Sequence, residues 1–121
     1  MRNLRENLPN RVYHLISRVA HRAYFLDADE RTRFVELLKR VAAFSGIELL
    51  AYCVMTNHVH ILVFVPEPEE LSDEEILSRM RILYRDARFA DLRREWDKRL
   101  KLGRTQSFLD YRASFTRRMW N

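Results

Sequence analysis

The chain has 121 residues, 47% of them hydrophobic, with two glycines and three prolines, which excludes a disordered chain and leaves room for one domain and one core. Its formal net charge is +5 and its pI about 9.8, the cations being mostly arginine. Residues 1–26 and 98–121 are basic and residues 27–97 acidic, so a polyanionic partner is expected to meet the two ends.

Residues 11–19 are β-branched and aromatic and follow Pro9, which predicts a strand. Alternation puts Tyr13, Leu15, Ser17 and Val19 on one face and Val12, His14, Ile16 and Arg18 on the other. Arg18, His21 and Arg22 gather near its end, either as a phosphate grip or as an ordinary solvated edge. A helix follows, with Asp27 or Asp29 as its cap and Gly46 as its stop. Phe34, Leu37, Leu38, Val41 and Phe44 recur at three- and four-residue spacings, as an inward stripe should. Residues 47–55 carry few charges and are expected as a second strand, central in the sheet, with Cys53 packed inside. Thr56-Asn57 is short enough for a tight hairpin, and Pro66 stops the third strand, residues 58–65. Strand, helix, strand, turn, strand is the first half of a ferredoxin-like β-α-β-β-α-β unit. The expected fold class is therefore α+β, an incomplete antiparallel sheet with helices on one face and additional C-terminal helices.

Ser72-x-x-Glu75 reads as a capping box. Ile76, Met80, Leu83, Phe89, Leu92, Trp96 and Leu100 then carry an apolar stripe, so residues 72–101 form one long helix or two shorter ones. After Gly103, Phe108, Tyr111, Phe115 and Met119 form a further stripe with Arg112, Arg117 and Arg118 beside it. That is a basic amphipathic helix, able to pack by one face and meet an anion with the other. One domain over residues 1–121 is expected, with a sheet core over 11–66 and a helical part over 67–121. The single cysteine excludes an intramolecular disulfide and suits a reducing compartment. No signal segment and no run of about 18 apolar residues is present, so a cytoplasmic protein without a membrane partner is expected.

The chemistry concentrates in His58-Val59-His60. On a strand the two imidazoles share a face, where they can grip a metal ion or a phosphate; alternatively they are a pair held by hydrogen bonds at a strand end. There is no Gly-rich phosphate loop, Cys-based zinc pattern, serine nucleophile elbow or internal repeat.

Three segments belong together: Tyr13-His14-x-x-x-Arg18; Leu50-Ala51-Tyr52-x-Val54-Met55-x-Asn57-His58-Val59-His60-Ile61-Leu62; and Pro66-x-Pro68 with Leu71-Ser72-Asp73-Glu74-Glu75. With them the chain resembles the single-tyrosine insertion-sequence transposases whose signature is His-hydrophobe-His (the HUH motif), in particular the REP-associated type. The resemblance covers nearly all of residues 11–121 and is densest over 48–66. It implies a domain that binds single-stranded or hairpin DNA and cuts and rejoins it through a phosphotyrosine, with His58 and His60 holding a divalent metal, Mg²⁺ or Mn²⁺. A phenol with a pKa near 10 is a weak nucleophile at neutral pH, so activation of the phosphate by a metal makes physical sense. Arg18, Arg22, Asn57, Arg112, Arg117 and Arg118 are the expected DNA contacts.

The family's Tyr-x-x-x-Asn element has no match here, since Tyr84 is followed by Arg88 and Tyr111 by Phe115. Tyr111 is the remaining candidate nucleophile, with a core packing role as its alternative. The chain reaches Asn121 at about the place where the family's next loop would begin. The expectation is thus a C-terminally truncated copy, either a strand transferase or a catalytically inactive DNA-binding remnant. A sheet without its fourth strand keeps an unpaired edge, at which a second copy can add to give a homodimer.

Overall fold

The computed structural model describes residues 8–18 and 26–120, and the fold is α+β. Its elements are β1 (Arg11–Arg18), α1 (Ala28–Ser45), β2 (Glu48–Val54), β3 (His58–Val65), α2 (Asp73–Leu83), α3 (Asp86–Leu100) and α4 (Gln106–Trp120). They fall into two compact units, one of Met1–Ala42 with Gly46–Pro68, the other of Ala43–Ser45 with Glu69–Asn121.

In the first unit β3 pairs antiparallel with β1 on one side and β2 on the other, giving the order β1-β3-β2. The expectation that β2 is the central strand is therefore corrected. A low charge count marks β2 and β3 alike, but β3 is the strand with two ladders. Its own Val59 and Val63 are buried on the face opposite its histidines. The hairpin forms across Met55, Thr56 and Asn57, closed by the Met55 amide donating to the His58 carbonyl at 2.9 Å. At the other end Tyr13 ties down the entry to β1, its hydroxyl accepting from the Leu8 amide at 2.7 Å and donating to the Leu8 carbonyl at 2.8 Å.

Both ends of α1 follow from its sequence. Asp27 Oδ1 accepts from the Glu30 amide at 2.8 Å, satisfying one of the free first-turn donors. Gly46 takes φ of 73°, and the Ile47 amide then reaches back to the Ala42 carbonyl at 3.0 Å, a Schellman closure that needs a left-handed residue. Of the expected inward stripe Phe44 is buried and Phe34 and Leu38 are half-buried, but the other two residues are not. Leu37 and Val41 stand half exposed, whereas Val35 lines a groove with Tyr52 and Val54, and Ala42 is buried.

The second unit is helical. Residues 72–101 form two helices, because Tyr84 and Arg85 are extended (ψ 133° and 163°) between α2 and α3. Ser72 caps α2, its hydroxyl accepting from the Glu75 amide at 3.2 Å. Gly103, at φ 93°, ends the turn after α3. Ile76, Met80, Leu92, Trp96, Phe108, Phe115 and Met119 bury together with Phe44 and Leu71, so the stripes read from the sequence are the core of this unit.

Candidate functional site

One face of the sheet carries the histidines. Cα pairing sets Arg18 opposite His58, Ile16 opposite His60, His14 opposite Leu62, and Cys53 opposite His60. Directly paired residues share a face, so Val12, His14, Ile16 and Arg18 from β1, His58 and His60 from β3, and Cys53 from β2 all point the same way. This face is open: Val12 and Ile16 are 55% and 54% exposed, and Cys53 is exposed too. The expected burial of Cys53 is thus corrected, since α1 faces Tyr52 and Val54 and not the residues between them.

His58 and His60 stand side by side with ring centroids 5.1 Å apart and planes at 76°. Each has its Nδ1 engaged by a neighbouring side chain. His58 Nδ1 donates to Asn57 Oδ1 at 2.7 Å, which leaves its Nε2 as a lone pair. His60 Nδ1 lies 3.1 Å from His14 Nε2. A ring nitrogen hydrogen-bonded on one side fixes what the other nitrogen offers, which is how metal-binding histidines are commonly oriented. Two Nε2 atoms on a rigid strand suit a divalent ion, and two protein ligands leave positions for water and phosphate oxygens. Among the described residues no three or more His, Cys, Asp or Glu side chains group to hold an ion.

The other expected residues are scattered. Arg18 joins the histidine face through its pairing with His58, and Arg22, like His21, lies outside the described residues. Asn57 is the acceptor behind His58. In the helical unit Arg112 donates from Nε to Asp73 Oδ1 at 2.7 Å and also to the Leu71 carbonyl. Arg118 donates to the Tyr84 hydroxyl at 2.9 Å and sits over the Phe115 ring, while Arg117 is exposed.

Tyr111 packs among aromatic rings, edge-on to Phe115 at 5.1 Å and to Trp96 at 6.5 Å, and its hydroxyl donates to the Leu92 carbonyl at 3.2 Å. Burial, reinforced by the charge of Glu95, pushes the phenol up from its ordinary value. Both effects oppose formation of a phenolate. Among the other described tyrosines, Tyr13 and Tyr84 have engaged hydroxyls, and Tyr52 alternates to the α1 face, where Lys39 Nζ is 5.8 Å from its ring centre.

His14 and Cys53 are the members of this face that pattern reading did not join to the histidine pair. His14 is placed on a face by alternation, but its neighbour there comes from 46 residues away. Only the strand register brings the two together. No helix among the described residues is long and apolar enough to cross a membrane. A sequence model of the family described as "Transposase IS200 like" matches residues 7–99, which span β1 through most of α3. No curated protein and no solved structure gives a comparable match.

Proposed function

This chain belongs to the IS200-like transposase family, and we propose that it acts there as a REP-associated-type domain that binds single-stranded or hairpin DNA around a divalent ion. The observation that carries this reading is the open histidine face: two imidazoles side by side, the Nδ1 of His58 engaged by Asn57, and Arg18 paired opposite His58. His58 and His60 would hold Mg²⁺ or Mn²⁺ through those nitrogens. When bound, such an ion neutralises charge on a phosphate and makes it more electrophilic. Asn57 accepts from His58 Nδ1 and so leaves its Nε2 unprotonated, and Arg18 adds a cation for the DNA backbone on the same face.

The test uses the whole chain and a single-stranded hairpin oligonucleotide. The double variant His58→Ala/His60→Ala is expected to lose Mn²⁺ binding in calorimetry and the part of DNA binding that Mn²⁺ supports. Arg18→Ala is expected to weaken DNA binding and to flatten its salt dependence by about 0.7 in slope, the value for one phosphate contact on a single strand. Unchanged Mn²⁺ affinity in the double variant would remove the site assignment.

A second reading, a DNA-binding member that forms no phosphotyrosine of its own, is favoured by the position of Tyr111. Its hydroxyl is engaged by Leu92 and its ring is packed. On this reading incubation with single-stranded DNA and Mn²⁺ leaves no covalent band on a denaturing gel. A covalent band abolished by Tyr111→Phe would instead make Tyr111 the nucleophile.

A further inference from the structure

Resting on the two-histidine metal reading above, we propose that His14 is a positioning residue for His60, holding it in the tautomer that can bind a metal. His14 Nε2 and His60 Nδ1 are 3.1 Å apart, the ring planes are 28° from parallel and the centroids 5.3 Å apart. The centroid spacing exceeds the N···N distance by about two ring radii, so the rings meet end to end through their nitrogens and not face to face. A single proton occupies that contact, and two arrangements satisfy it.

If His14 Nε2 carried the proton, His60 would accept at Nδ1, bear its own proton on Nε2, and have no outward lone pair. If His60 Nδ1 carries it, His14 accepts, its own proton moves to Nδ1, and His60 Nε2 is free to ligate. The second arrangement matches what Asn57 does for His58, where the carboxamide oxygen can only accept and so fixes Nδ1–H. His58 and His60 are thereby each backed by an acceptor, one from the hairpin turn and one from β1. Because His14 spends Nε2 on His60, it is not itself a third ligand.

The test has two readouts on the full chain. Long-range ¹H–¹⁵N correlation spectra of the metal-free protein give the tautomer of each histidine, and Mn²⁺ titration gives affinity. Wild type is expected to show His60 protonated at Nδ1. His14→Ala is expected to shift His60 toward Nε2–H and to weaken Mn²⁺ binding about tenfold or more, the usual effect of losing such an outer partner. His14→Gln, whose carboxamide oxygen can accept from Nδ1–H, is expected to restore most of both, which a merely space-filling role would not require.

His60 protonated at Nε2 in wild type, or Mn²⁺ affinity unchanged in His14→Ala, overturns the proposal. Should wild type bind no Mn²⁺, the metal reading fails by itself, and the spectra of wild type and His14→Ala still decide whether His14 sets the His60 tautomer. Should His14→Ala not fold, the wild-type tautomer decides.

Discussion

Trp96→Ala is expected to destabilise the helical unit by about 3–5 kcal/mol, the range for deleting a large buried aromatic. Trp96 is 1% exposed, and its ring meets Phe108 edge-on with centroids 5.1 Å apart. Ile76, Met80, Phe108 and Phe115 are also fully buried in the same cluster, so side chains from α2 and α4 as well as α3 lose contacts at once. An alanine leaves a cavity that the three helices can close only by moving together, and close-packed interiors do not collapse freely. Trp96→Phe keeps most of the buried surface and should cost considerably less. Urea unfolding followed by far-ultraviolet circular dichroism measures both. A loss under about 1 kcal/mol for Trp96→Ala would fall within the ordinary run of substitutions and would mean that this unit repacks around the gap.

That core was legible because helical periodicity is a local signal. Ile76 and Met80, Leu92 and Trp96, and Phe108, Phe115 and Met119 lie four or seven residues apart, and each set is buried. Caps were legible for the same reason: Asp27, Ser72 and Gly46 act on backbone groups within five residues. The sequence left one helix or two open over residues 72–101, because Tyr84 and Arg85 have no intrinsic resistance to helix. Tyr84 is held instead by rings distant in sequence, edge-on to Phe44 at 6.2 Å and to Phe115 at 6.5 Å.

In the sheet, alternation gave the faces correctly but could not say which face a helix covers. Cys53 was expected inside because it lies in an apolar run, but α1 lies on the side of Tyr52 and Val54. His58 and His60 were readable as a pair because they are two residues apart. The acceptor behind His58 is its sequence neighbour Asn57, while the partner of His60 needed the β1–β3 register.

Asp73→Ala is expected to cost about 2 kcal/mol at neutral pH, the scale of losing charge-assisted hydrogen bonds and leaving a partly buried cation unpaired. Asp73 Oδ1 accepts from Arg112 and Oδ2 from Arg104 at 2.8 Å, and Asp73 opens α2, where a negative charge also complements the helix dipole. The Arg104 hydrogen bond first, and then Arg112, hold the carboxyl below its ordinary value of 3.8. A carboxylate with a depressed folded pKa contributes stability that is fully present above its unfolded pKa and is lost as pH falls through the folded one. The difference between wild type and Asp73→Ala should therefore stay constant from neutral pH down to the region of 3.8 and shrink below it. Urea unfolding of both proteins across that range measures it, and a gap that closed already near neutral pH would assign the effect to another group. The same ion pair sorts the arginines of α4: Arg112 is committed to Asp73 and Leu71, so Arg112→Ala should lower stability more than DNA affinity. Arg117, exposed on the same helix, should show the reverse if α4 meets the DNA backbone.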